Sequence, residues 1–151
     1  MTELQTALTK RLDIRHPILL APMNLPSGGV LASAVTEAGG LGLIGGGNAD
    51  RAWLETELVR AGNSKVGVGF ITWLLAKQPD TLELALDHEP AAIMLSFGDH
   101  IPFVDSIKQA GVPLICQVQT VTQAIHAART GADIIAPISL LHRAKKRAAT
   151  A

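Results

Sequence analysis

Leu114-Ile115-Cys116-Gln117-Val118-Gln119 carries two amides two residues apart inside an otherwise apolar run. Side chains alternate along an extended chain, so Gln117 and Gln119 face one way and Leu114, Cys116 and Val118 the other. A glutamine held away from water needs hydrogen-bond partners, and a ligand with amide or carbonyl edges supplies them. Gln117 is therefore a better site candidate than Cys116, whose thiol is expected to pack among helices as a small apolar group. Ser96-Phe97-Gly98-Asp99-His100 places an acid beside a base. Adjacent side chains diverge, however, and no nucleophile pattern accompanies them, so His100 reads as a loop histidine. His16, His88, His126 and His142 lack ligand spacing with carboxylates or one another, and no metal site is expected. No residue is assigned a catalytic role.

Glycine supplies the second set of candidates. Lys65-Val66-Gly67-Val68-Gly69-Phe70 alternates strictly, with Val66, Val68 and Phe70 on one face and Gly67 and Gly69 on the other. Glycine weakens a strand unless something approaches it closely. With the valine face on helices, the glycine face leaves room for a planar ligand; plain tight packing is the alternative. Gly45-Gly46-Gly47-Asn48 exposes backbone N–H groups to a ligand or is simply a flexible turn. Gly40-Leu41-Gly42-Leu43-Ile44-Gly45 spells G-x-G-x-x-G, but a dinucleotide fingerprint must follow a strand and open a helix. Here Leu41–Ile44 is itself the strand.

These residues need a scaffold. Apolar runs at Ile18–Met23, Leu41–Ile44, Lys65–Ile71, Ala91–Leu95, Leu114–Val118 and Ala132–Ala136 read as strands. Helical patterns lie between them, at Gly29–Ala38, Ala52–Ala61, Thr81–His88, Phe103–Ala110 and Val121–Arg129. Asp50, Asp80 and Thr120 are expected N-caps, and Gly39, Gly62, Gly111 and Gly131 follow helix ends. Strand–helix–strand units repeated this way build a parallel sheet with right-handed crossovers. An open doubly wound sheet and a (β/α) barrel both use the pattern. Asn24, Asn48, Thr72, Ser96, Asp99 and Gln117 fall at or just past strand C-terminal ends, where both architectures bind ligands. A barrel has eight strands, and six runs are present, so the expectation is an incomplete α/β barrel of TIM type.

The chain has 151 residues, 48% hydrophobic and 17% charged, enough to bury a core. Thirteen basic residues balance thirteen acidic ones, and there are three Phe, two Trp and no Tyr. That composition argues against nucleic-acid or membrane-surface partners. The uncharged stretch from Pro17 to Thr36 is broken by three prolines and a glycine pair, unlike a membrane span. A lone cysteine excludes an internal disulfide, and the protein is expected in the cytoplasm. The tail His142-Arg143-Ala144-Lys145-Lys146-Arg147 is an electrostatic contact or, by default, a solvated tail.

In order along the chain, His16-Pro17-Ile18-Leu19-Leu20-Ala21-Pro22-Met23, Glu37-Ala38-Gly39-Gly40-Leu41-Gly42, Gly67-Val68-Gly69-Phe70, Met94-Leu95-Ser96-Phe97-Gly98, Ile115-Cys116-Gln117-Val118 and Ala132-Asp133-Ile134-Ile135 resemble the flavin-dependent nitronate monooxygenases. The resemblance implies a (β/α) barrel with FMN at its C-terminal mouth. It also implies oxidation of alkyl nitronates with oxygen to a carbonyl compound and nitrite. Ala21, Pro22 and Met23 would line the flavin, Gln117 would hydrogen-bond to it, and Gly69 would allow close backbone approach. Many family members carry a polar side chain near Gly69, absent here. After Ala136 the family continues to a glycine-rich segment with a proton-accepting histidine and to phosphate-binding loops. This chain reads instead Pro137-Ile138-Ser139-Leu140-Leu141-His142, and His142 does not align with that histidine.

The resemblance therefore implies a partial FMN-binding barrel at residues 1–136, a divergent basic tail at 137–151, impaired activity and weak FMN binding. Two other readings stand beside it. One is a non-catalytic barrel fragment that associates through open sheet edges. The other is a related flavin enzyme of the enoyl-[acyl-carrier-protein] reductase type.

Overall fold

A computed structural model describes residues 4–47 and 49–138. Five parallel strands run in sequential order: β1 (Leu43–Gly45), β2 (Gly67–Ile71), β3 (Ile93–Ser96), β4 (Leu114–Val118) and β5 (Ile134–Pro137). Helices α1 (Ala7–Leu12) and α2 (Gly29–Glu37) precede β1. The crossovers are α3 (Arg51–Ala61), α4 (Thr72–Leu75) with α5 (Asp80–Asp87), α6 (Ile101–Gln109) and α7 (Val121–Arg129).

Local chemistry explains several boundaries. Asp50 accepts from the Trp53 amide at 3.1 Å to start α3. Thr120 and Gln123 form a reciprocal capping box at α7. Asp80, expected as a cap, is instead the first residue of α5, behind Pro79. Gly39, Gly62, Gly111 and Gly131 all end helices with positive φ. The α2 N-cap is Gly28, which has no side chain to offer. Glu57 of α3 takes over: its Oε2 accepts from the Gly29 amide at 2.8 Å while Oε1 pairs with Arg60 at 2.7 Å.

The first expected strand is corrected. Ile18–Met23 forms a single parallel bridge, Leu19 to Leu41, supported by Leu20 N donating to Leu41 O and Leu41 N to Ile18 O. Pro22 lacks the N–H that would extend the ladder forward, and at the other end Ile18 N donates to the His16 carbonyl instead of the neighbouring strand. The sheet therefore has five strands and one flanking extended segment rather than six strands. Helices α1 and α4 are additional. In α1, a Thr6–Thr9 capping box opens the helix, in a stretch whose charges obscure its apolar pair.

Two cores flank the sheet. On the helix side, Ile44, Val68, Phe70, Leu95, Leu114 and Cys116 pack against Leu54, Leu75, Leu82 and Ile107. Burying each such large aliphatic side chain contributes about 1.5–3 kcal/mol. On the inner face, Leu43, Ala92, Met94 and Ile115 meet Leu8 and Leu12 of α1. Helix α1 thus covers the N-terminal ends of the strands. It is fastened by Asp133, which pairs with Arg11, accepts from Lys108 Nζ at 2.6 Å and accepts from the Leu114 amide at 2.8 Å. Burial opposes the Asp133 charge, but the Leu114 amide and the two cations outweigh it and hold the carboxyl below its ordinary value.

Candidate functional site

Register places the inner-face residues in rows. Gly45, Gly69, Met94, Ile115 and Ile134 form one row across the five strands. One step higher stand Ile71 paired with Ser96, and Gln117 paired with Ala136. That upper row is the C-terminal mouth, and its polar residues come from consecutive strands.

The chain leaving the Leu19–Leu41 bridge crosses this mouth. A Cβ added at Gly69 would lie 2.3 Å from Pro22 Cβ and Cγ, so Pro22 sits directly on the glycine. A Cβ at Gly45 would lie 2.5 Å from the Met23 carbonyl carbon and 2.6 Å from Asn24 N. The glycine face of β2 is therefore not open. Leu43 Cδ2 would meet a Cβ at Gly67 at 2.4 Å, and the room expected there is filled by the protein itself. Glycine at 45 and 69 lets a backbone segment lie flat across the sheet, with Ala21 and Met23 exposed. Gly42, in the G-x-G-x-x-G phrase, is pressed against the Ala32 carbonyl, where a Cβ would come within 1.9 Å. Gly42, and Gly40 against Val35, serve helix–strand packing.

Three buried side-chain atoms among the described residues lack a hydrogen-bond partner: Thr72 Oγ1, Gln117 Oε1 and Gln119 Nε2. All three stand at or just past the C-terminal ends of β2 and β4. An orphaned buried polar group costs about 1–3 kcal/mol unless something else supplies its partner. Thr72 was noticed only as a strand-end polar residue, and nothing in its sequence context signals that its hydroxyl is unpaired.

Gln117 and Gln119 also line a cavity of about 360 Å³ with Phe97, Asp99, His100 and His126. Phe97 is half exposed and holds φ +60°, rare for a bulky residue. His100 lies in the loop before α6, as expected, but it is buried there, with its ring 5.8 Å from that of His126 on α7. Thr130 Oγ1 donates to the His126 carbonyl at 2.8 Å. Its single proton is thereby used, so His100 Nε2 donates to Thr130 Oγ1 at 2.7 Å. Burial lowers the His100 pKa, the neighbouring His126 lowers it further, and Asp99 acts in the opposite sense. Asp99 itself accepts from the Ile101 amide at 3.0 Å, a helix-capping role. Cys116 is buried on the helix side as expected, and burial pushes its thiol up to about 11.

A second, larger cavity of about 820 Å³ opens beside β5, lined by Ala7, Leu8, Leu19, Ile134 and Ala136. It lies between the free edge of β5 and the bridge segment. Asn48 and the tail from 139, including His142, lie outside the described residues. Among the described residues no group of three His, Cys, Asp or Glu is placed to hold a metal, and no helix is long and apolar enough to cross a membrane.

No family model matches the sequence. A curated relative from Neurospora crassa named nitronate monooxygenase is 30% identical over 87% of this chain and 46% of its own length. The chain matches the N-terminal part of the nitronate monooxygenase family. FabK from Thermotoga maritima superposes with a TM-score of 0.79 at 29% identity, over 87% of this chain and 43% of that one. Nitroalkane oxidase from Streptomyces ansochromogenes superposes at 0.62 with 23% identity, over 86% and 47%, which speaks for the fold alone. The chain spans less than half the length of each of these proteins. The sheet is thus the first part of a TIM-type barrel. Of the five residues named by resemblance, the structure sets the Met23 carbonyl over Gly45 and brings Pro22 onto Gly69. Gln117 stands two strands away, about 10 Å at ordinary strand spacing.

Proposed function

We propose that this chain forms the ring-binding part of an FMN-dependent oxidoreductase that oxidises alkyl nitronates with oxygen, yielding a carbonyl compound and nitrite. The observation that carries the reading is Gln117 Oε1, buried and unpartnered at the C-terminal mouth of a nitronate monooxygenase-like barrel. The residues present fit a flavin ring. Ala21, Pro22 and Met23 offer backbone and apolar contact, and Gly69 contributes by letting Pro22 settle. Gln117, Gln119 and Thr72 offer acceptor and donor atoms to the polar edge of a ring. Bound FMN supplies two-electron redox chemistry between substrate and oxygen. The chain's own residues orient the ring and keep water from its buried edge; no proton-accepting residue is assigned.

The phosphate end is a different matter. In TIM barrels it is held by loops and a helix N-terminus after strands seven and eight, which are not among the described elements. A small nitronate-like substrate and oxygen are the chain's other proposed partners, in the cytoplasm. Product analysis tests the reading. Nitrite released from a nitronate in the presence of FMN and oxygen supports it. Enoyl reduction driven by NAD(P)H moves the assignment to the enoyl-[acyl-carrier-protein] reductase type, and neither product removes the activity from this polypeptide.

A second reading is a non-catalytic fragment that becomes stable by association. The apolar cavity beside β5 favours it, because an unpaired strand edge next to apolar surface invites another chain. Sedimentation separates the two: a cooperatively unfolding monomer at micromolar concentration excludes the fragment reading.

A further inference from the structure

We propose that Ser27 is the positioning residue of the site: its hydroxyl holds Ala21–Met23 across the mouth in the one arrangement that a ring could rest on. The importance of the segment rests on the flavin reading; the holding itself does not. Beyond Leu20 the segment has left the ladder, since Leu20 N donating to Leu41 O is its last bond to the neighbouring strand. Apolar burial does little to hold it, because Ala21 and Met23 are exposed and only Pro22 is seated, on Gly69.

Ser27 is fully buried and gathers the loose groups. Its Oγ accepts from the Met23 amide at 2.6 Å and donates to the Ala21 carbonyl at 2.9 Å. Its own amide donates to the Met23 carbonyl at 2.8 Å. Its carbonyl accepts from the Gly45 amide, also at 2.8 Å. One residue thus closes the loop on itself and ties it to the end of β1, where Gly45 has no side chain to push it away. A serine does this because its hydroxyl donates and accepts at once and its side chain reaches backbone a few residues back. Alanine at 27 leaves the Met23 N–H and Ala21 C=O without their partner.

The test is residue-resolved hydrogen exchange on the full chain, for the unaltered protein, S27A and S27T, followed by FMN titration. The Met23 amide should be protected in the unaltered protein. It should exchange at least about tenfold faster in S27A, with Ile93 (bonded to the Pro113 carbonyl) unchanged, and recover in S27T, which keeps the hydroxyl. FMN affinity should fall about tenfold or more in S27A and recover in S27T. An unprotected Met23 amide in the unaltered protein, or unchanged exchange in S27A, overturns the proposal. Should S27A fail to fold, protection of Met23 in the unaltered protein decides alone. Should FMN not bind at all while the exchange pattern holds, the flavin reading fails and the role of Ser27 stands.

Discussion

Replacing Glu57 by alanine removes a cap that α2 cannot supply for itself. Gly28 has no side chain, and the buried carboxylate on α3 accepts from the Gly29 amide. A hydrogen bond from a buried amide to a charged acceptor contributes about 1.5–3 kcal/mol, and its loss leaves the N–H unpaired. The partner Arg60 adds little, because its side chain is 59% exposed and such pairs contribute about 0–1 kcal/mol. E57A should therefore lose about 2–3 kcal/mol, and R60A no more than about 1 kcal/mol. For a domain of this size, that is a melting decrease of roughly 5–10 °C for E57A against about 3 °C or less for R60A. Urea unfolding at pH 7, followed by far-UV circular dichroism, measures both. An E57A stability within about 0.5 kcal/mol of the unaltered protein, or an equal loss in R60A, refutes the reasoning.

Three other outcomes follow from the same geometry. G69A should force Pro22 off β2, costing about 1–3 kcal/mol by overpacking and weakening FMN binding; unchanged stability would mean that the Pro22 approach is not tight. His100 is held neutral in the fold, with its pKa below the ordinary 6.5. The unfolded chain therefore takes up the proton first as pH falls through about 6.5, so the His100 contribution is present above that value and is lost on acidification. The urea midpoint should fall from pH 7 to 5.5, less steeply in H100Q. Cys116, buried with its thiol raised to about 11, should react with a disulfide reagent at pH 7.5 only on unfolding; fast reaction in native buffer would contradict its placement.

The barrel-type sheet was legible because its strands are short apolar runs separated by amphipathic helices, most of which end at a turn glycine. Ile18–Met23 reads the same way but is bounded by prolines, and backbone donors rather than apolarity decided its fate. The alternation of Gln117 and Cys116 was readable for a similar reason: in a strand, neighbouring positions fix opposite faces. What occupies the space beside a glycine is not local information. Gly69 signals a close approach equally well for a ligand or for Pro22, 47 residues earlier in the chain. The loop position of His100 was legible but its burial was not, because burial depends on how α6 meets α7 and its partner Thr130 belongs to another helix end. Ser27 and Glu57 were invisible as positioning residues, since their work is done on backbone groups that every residue carries.

The central claim is that the C-terminal mouth of this sheet, with the unpartnered Gln117 Oε1, is built to hold the ring of a flavin. Titrating FMN against the purified chain and following flavin fluorescence tests it most directly. The account predicts saturable quenching of FMN, one per chain, and a marked loss of affinity in Q117L, where the orphaned acceptor is gone. Absence of saturable quenching, or an unaltered affinity in Q117L, would contradict the claim that Gln117 and its neighbours hold the ring.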